Sequence, residues 1–241
     1  MFERVPELDV VYVPWEAATP DEAVRIGATW LMSQPGQRLV LLHTKGMYDN
    51  NALLPALTRG AVVEKPNTVR GHWAGGPVLA PWPSEKVLAT ISDDIAQRAT
   101  AVCILEWGEQ SFVRAWLDAH AAVSLVAGHI PPAVKELISP VVEAAMRDLS
   151  QTVNHNNALL QSYEKSYAVR TLQELRRAGH SYDVDNLCAW SLANGFTQSE
   201  VKHLREYAEQ VLSGRSFRLR DTVGPNRGYA KYWEQAAESH S

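Results

Sequence analysis

Polar and indole side chains follow apolar runs at four places in the chain. Trp15 and Glu16 come after Asp9–Val13, and His43, Thr44 and Lys45 close the run that starts at Arg38. Trp82 comes after Pro77–Ala80, and Glu106, Trp107, Gly108 and Glu109 come after Leu105. If the apolar runs are parallel strands, these residues share the edge at which open sheets bind ligands. His43, Lys45, Trp82, Glu106 and Trp107 are therefore the candidate ligand cleft. Tryptophan would stack there on a nucleotide or another base-containing small molecule. His43 with Glu106 or Asp93 would form an acid–base pair, provided that their strands are neighbours.

The spacing does not support several familiar chemistries. No GxGxxG follows the first apolar run and no GxxxxGK[ST] occurs anywhere. Gly71, Gly75 and Gly76 are not followed by lysine, so they do not cradle phosphate in that manner. Leu105-Glu106 is similar to the strand-plus-acid end of a Walker B segment, but without a phosphate loop the acid has no defined magnesium partner. No GxSxG elbow is present. Asp93-Asp94 has no histidine at ligand spacing. The sequence thus names no catalytic set, no cofactor and no metal site. Polar residues that open loops and satisfy free backbone groups account for the same pattern without a ligand.

A second constellation lies in residues 187–204, LCAWSLANGFTQSEVKHL. Ser191 is small, Gly195 follows in the turn, Phe196 is apolar, and Val201 and Leu204 recur at helical spacing. Glycine permits a positive-φ turn, and the apolar pair would hold a second helix against the first. In these positions the segment resembles the helix-turn-helix family of DNA-binding segments. The resemblance implies that Thr197, Gln198, Ser199, Lys202 and His203 approach base edges. Arg215, Arg218 and Arg220, just beyond, would then sit on phosphates. The segment also departs from that family. Trp190 is bulky for its place, Asn194 stands where a small apolar residue is usual, and Glu200, Glu206 and Glu209 bring negative charge toward the phosphate-facing side. An ordinary helical hairpin produces the same helix–glycine–helix pattern.

Periodicity says what must position these residues. Continuous apolar runs at 9–13, 38–43 and 100–105, with shorter ones at 61–64, 77–80 and 122–126, alternate with helical patterns, as buried parallel strands do. Thr19-Pro20-Asp21-Glu22 opens the first helix; Asn50 is expected to cap a short one, and Ser84 to open one that reaches Arg98. After Pro131-Pro132 only helical periods are found: Val134–Leu149, a long helix through Leu175 ending at Gly179, one capped by Asp183, one capped by Thr197, and a short one around Tyr232. The expected architecture is an α/β, mainly parallel sheet with flanking helices over residues 1–130 (Rossmann-like), an all-helical domain over 131–214, and a basic, polar tail over 215–241.

Composition narrows the partners. The chain has 241 residues and a formal net charge of −4, which gives no overall pull toward nucleic acid. The charge is uneven: residues 1–150 hold 12 of the 23 Lys+Arg and 17 of the 27 Asp+Glu, leaving 11 against 10 for the rest. Between Arg215 and Lys231 the basic residues outnumber the lone Asp221. Two cysteines inside apolar or helical patterns read as buried thiols rather than a disulfide scaffold. No signal pattern opens the chain and no apolar run approaches the ~20 residues of a membrane span, so a cytoplasmic protein without a membrane partner is expected. The leading expectation is a nucleic-acid-associated accessory or regulatory protein, its helical domain on DNA and its α/β domain on a small ligand or protein partner. An enzyme acting on a nucleotide-like substrate at the sheet edge and a protein–protein adaptor are the alternatives.

Overall fold

Valine, leucine and isoleucine dominate the strand-forming runs because both faces of the sheet are covered. The computed structural model describes residues 8–108, 111–129, 137–221 and 223–239, and the chain divides into two compact units, Met1–Lys135 and Glu136–Ser241. The expected boundary at 130/131 lies outside the described residues, as does Glu109.

Among the described residues, the first unit holds six parallel strands: β1 (Val10–Val13), β2 (Leu39–Leu41), β3 (Val62–Glu64), β4 (Gly76–Pro81), β5 (Ala99–Leu105) and β6 (Val123–Ser124). Their spatial order is β3-β2-β4-β5-β1-β6, all pairings parallel. Helices α1 (Pro20–Ser33), α2 (Lys45–Asp49), α3 (Leu53–Leu57), α4 (Val69–His72), α5 (Glu85–Thr90), a π turn (Ile91–Ile95) and α6 (Ser111–Ala119) connect them. From β1 the chain steps to β2 and β3 toward one edge, then returns through β4 and β5 and passes β1 to reach β6. Right-handed crossovers place helices of the outward and return paths on opposite faces. Accordingly α1 packs with α3, and α5 with α6. β1 and β5 are neighbours, and the helices that follow them, α1 and α6, lie on opposite faces; this is the topological switch point of the sheet.

Val13, Val40, Leu79, Cys103 and Leu105 of the sheet pack with Val24 and Leu31 of α1 and Leu54 of α3. Gly27 lets α1 settle this closely, since a Cβ there would lie 2.6 Å from Leu105 and 2.9 Å from Leu79. The helix expected from Asn50 to Leu57 starts at Leu53, and α2 precedes Asn50; the Asn51 carboxamide, not Asn50, accepts the Leu53 and Leu54 amides at 2.9 Å each. The helix opened by Ser84 widens into the π turn after Thr90.

The second unit is helical: α7 (Pro140–Thr152), a 3-10 turn (His155–Asn157), α8 (Ser162–Ala178), α9 (Val184–Ala193), α10 (Gln198–Leu212) and α11 (Ala230–Glu238). Helix α7 starts at Pro140, capped by Ser139, rather than at the expected Val134, a position outside the described residues. Gly179 in the left-handed region ends α8, and the Asp183 side chain caps α9. Helix α8 packs on α7 and α10, α9 on α10, and α11 on α7. Leu149, Leu172, Leu187, Leu204 and Trp233 are fully buried in this unit.

Candidate functional site

At the carboxyl edge of the first unit, the two tryptophans singled out on sequence grounds meet. Trp82 follows β4 and Trp107 follows β5, and their rings pack edge to face at 5.7 Å. Trp82 is held at φ +50° while its amide donates to the Leu105 carbonyl at 2.8 Å. A bulky residue in that region is strained. Its indole Nε1 is buried with no hydrogen-bond partner. Trp107 and Trp15 are exposed. Val13 pairs with Leu105 in the β1–β5 register, so Trp15 and Trp107, each two residues further on, leave neighbouring strands at the same level.

Glu106 is the buried member of this edge. Strand alternation turns it away from Leu105, which faces α1, toward α6. There Arg114 donates to it at 2.9 Å and to Glu16 at 3.2 Å, and the guanidinium lies 5.5 Å over the Tyr12 ring. The Trp15 amide also donates to the Glu106 carboxylate. Burial nevertheless pushes its pKa up to about 7; Arg114 opposes this and the neighbouring Glu16 adds to it. Burial raises Asp118 as well, again against Arg114. The arrangement holds a carboxyl that can exchange a proton near neutral pH beside an exposed carboxylate and an aromatic rim. A perturbed acid at the topological switch point of an open sheet has the marks of a binding or proton-transfer group.

The other sequence candidates are dispersed along the edge. Strand β4 lies between β2 and β5, so His43 and Glu106 are not on neighbouring strands and these two do not form the expected pair. His43 Nδ1 is instead 3.0 Å from the Ser84 hydroxyl. Lys45 begins α2, near Glu64; burial works to raise the Glu64 pKa, but hydrogen bonds from Thr68 and His72, with the charge of Lys45, hold it below the ordinary carboxylate range. Glu64 is buried, bonded to Thr68 and, at 2.8 Å, to His72. Sequence reasoning missed Tyr12, Arg114 and Glu64. A lone arginine on the helix that follows a strand-end acid was the available signal for Arg114. The Walker-like comparison meets a further obstacle in α1, whose first amides are served by a Thr19–Glu22 capping box.

In the second unit, Gly195 adopts φ +91° and the Phe196 amide returns to the Ser191 carbonyl at 3.0 Å. Ser191, Phe196, Val201 and Leu204 are buried beneath the turn. Gln198, Ser199 and Lys202 are exposed on the opposite side of α10, together with Glu206 and Glu209. Thr197 and His203 are engaged internally. The Thr197 hydroxyl and amide bond Glu200 in a capping box, and His203 Nδ1 bonds the Ala158 carbonyl at 2.9 Å. Glu200 is fully buried and lies 2.9 Å from His155 Nδ1, so its charge does not face outward. Hydrogen bonding to Glu200 raises the His155 pKa. Arg215, Arg218 and Arg220 are exposed beyond α10.

A family model described as a domain of unknown function (DUF1889) matches residues 138–234, within the helical unit. No curated protein and no solved structure matches the chain. Among the described residues, no helix is long and apolar enough to cross a membrane.

Proposed function

We propose that the protein is a nucleic-acid-associated accessory protein acting in the cytoplasm, with DNA contacted by the helical unit. The observation that supports this most is the α9–α10 turn. A positive-φ glycine and four buried side chains hold α10 while Gln198, Ser199 and Lys202 are left outward at its start. That is the geometry by which a helix presents side chains to a major groove. Arg215, Arg218 and Arg220 then neutralise phosphates, and the buried Glu200 does not oppose them. Thr197 and His203 act in this reading as supports for α10 and make no base contact. Glu206 and Glu209 lie further along and limit how deeply the helix enters.

The test is a fluorescence-anisotropy titration with mixed-sequence duplex at low salt. Binding should weaken with salt, the slope flattening by roughly 0.9 for each arginine removed. Gln198→Ala should cost about 1–3 kcal/mol on a preferred site and little elsewhere. Binding unchanged when Lys202, Arg215 and Arg218 are all alanine would leave the helix pair as packing alone.

The Trp82–Trp107 contact and the neutral-range acid Glu106 favour a second role for the α/β unit, the binding of a small planar ligand. Such a ligand should quench tryptophan fluorescence, and at 100-fold above its dissociation constant it should stabilise the unit by about 2.7 kcal/mol.

A further inference from the structure

Helix α8 carries a groove on its solvent side. One part is a cavity of about 440 Å³ lined by Gln173, Arg176, Arg177, Gly214 and Arg215, among others. The adjoining part, of about 300 Å³, is lined by Arg170, Gln173, Arg177, Asn226 and Arg227 with Leu219 and Pro225. Gln173 and Arg177 belong to both, so the two parts run together. Positions 170, 173 and 177 fall on one face of a helix. The segments after α10 and before α11 form the opposite wall.

Charge in this groove is unbalanced. Its one acidic lining residue, Glu174, is buried and already satisfied. It accepts from Arg177 Nε at 2.8 Å, from the Gly228 amide at 2.7 Å and from the Ala230 amide at 3.2 Å. Arg170, Arg176, Arg215 and Arg227 make no ion pair among the described residues. Arg176 donates to the Val211 carbonyl, and Arg170 Nε is buried without any hydrogen-bond partner. A buried guanidinium nitrogen with no acceptor is costly unless something supplies one. Several uncompensated guanidiniums around side-chain amides make a site for oxyanions, which the arginine fork grips in bidentate fashion.

We propose that this groove binds two or more linked phosphate groups, one in each part, with Gln173 and Arg177 between them. A single carboxylate carries too little charge to balance four guanidiniums, whereas each terminal phosphate carries about −1.5 to −2. The phosphates belong either to a free polyphosphate or nucleotide or to a nucleic-acid backbone. The site lies in the same unit as the DNA reading and shares Arg215 with it, but does not use Gln198, Ser199 or Lys202 at the start of α10.

Calorimetric titration of the full chain with inorganic tripolyphosphate, at matched ionic strength, tests the proposal. The ligand should bind one to one. The variant Arg170→Gln/Arg227→Glu should bind roughly a hundredfold more weakly, about tenfold for each charge-assisted hydrogen bond removed. Its circular dichroism and melting should match wild type, because Arg227 is exposed and Arg170 Nε makes no internal bond; should this pair unfold, Arg227→Glu alone is used, with about a tenfold weakening expected. A glutamate pentapeptide should not compete. No heat with tripolyphosphate, unchanged binding by the folded variant, or equal competition by the pentapeptide would overturn the proposal. Competition by duplex oligonucleotide assigns the phosphates to a nucleic-acid backbone, and its absence assigns them to a free ligand; both results support the groove. Duplex binding by the wild-type chain that persists in the double variant, with no tripolyphosphate binding by the wild-type chain, would sink the groove and leave the DNA reading standing. Tripolyphosphate binding without duplex binding would do the reverse.

Discussion

Replacing Glu106 with glutamine should make the α/β unit more stable at high pH while leaving it nearly unchanged at pH 5. In the folded chain burial lifts this carboxyl from its ordinary 4.5 to about 7, so the native state holds a proton that the unfolded chain has released. A pKa raised in the folded state gives stability that is complete below the unfolded value and lost as pH rises through the folded one. The loss therefore runs from about pH 4.5 to about pH 7 and then levels off. A difference of that size corresponds to roughly 3 kcal/mol, at 1.36 kcal/mol per pKa unit. Glutamine keeps the shape, never ionises and leaves Arg114 its hydrogen bond with Glu16. The assay is urea unfolding of wild type and variant at pH 5, 6, 7 and 8, followed by tryptophan fluorescence. The variant's midpoint should move ahead of wild type by about 1–3 M between pH 5 and 8, given a slope of about 1–3 kcal/mol/M. A wild-type-minus-variant difference that is flat across this range would show that Glu106 ionises without penalty, and the buried-acid argument would fail.

Substitutions at three other positions probe the helical unit and the sheet. Gly195→Val should destabilise the helical unit by roughly 1–2 kcal/mol or more, because a β-branched residue resists the turn's positive φ, whereas Gly195→Asn should cost less; equal unfolding midpoints for the two variants would contradict this. His155→Gln should weaken the helical unit at pH 6 and progressively less toward pH 9, since the partner Glu200 raises the histidine's pKa and the benefit is lost as pH climbs through it; a pH-independent difference in denaturation would refute the pairing. Gly27→Leu should destabilise the α/β unit by about 1–3 kcal/mol through overpacking against Leu105 and Leu79, and an unchanged midpoint in thermal unfolding would contradict this.

What the amino-acid sequence determined by itself is the local part. Continuous β-branched and leucine runs marked the strands because a sheet covered on both faces needs no polar alternation. Thr19, Asp183 and Thr197 marked helix starts because a cap is a contact within a few residues, and Gly179 and Gly195 marked turns because their φ angles exclude most side chains. The division into an α/β unit and a helical unit was legible for the same reason, as was the placing of Trp82 and Trp107 at one edge, since residues at the carboxyl ends of parallel strands share it; their contact also needed β4 beside β5. Strand order was not legible. That β4 sits between β2 and β5 depends on which strands bury the most surface together, and this separated His43 from Glu106. The sequence could not show that Glu106 is buried under α6 and answered by Arg114, because solvent exclusion belongs to the packed layer. Nor could it show that Glu200 turns inward to His155, 45 residues away, or that α8 and the chain after α10 bring scattered arginines around one groove. Local contacts set the elements; burial and long-range charge, which exist only once those elements pack, set what each side chain is able to do.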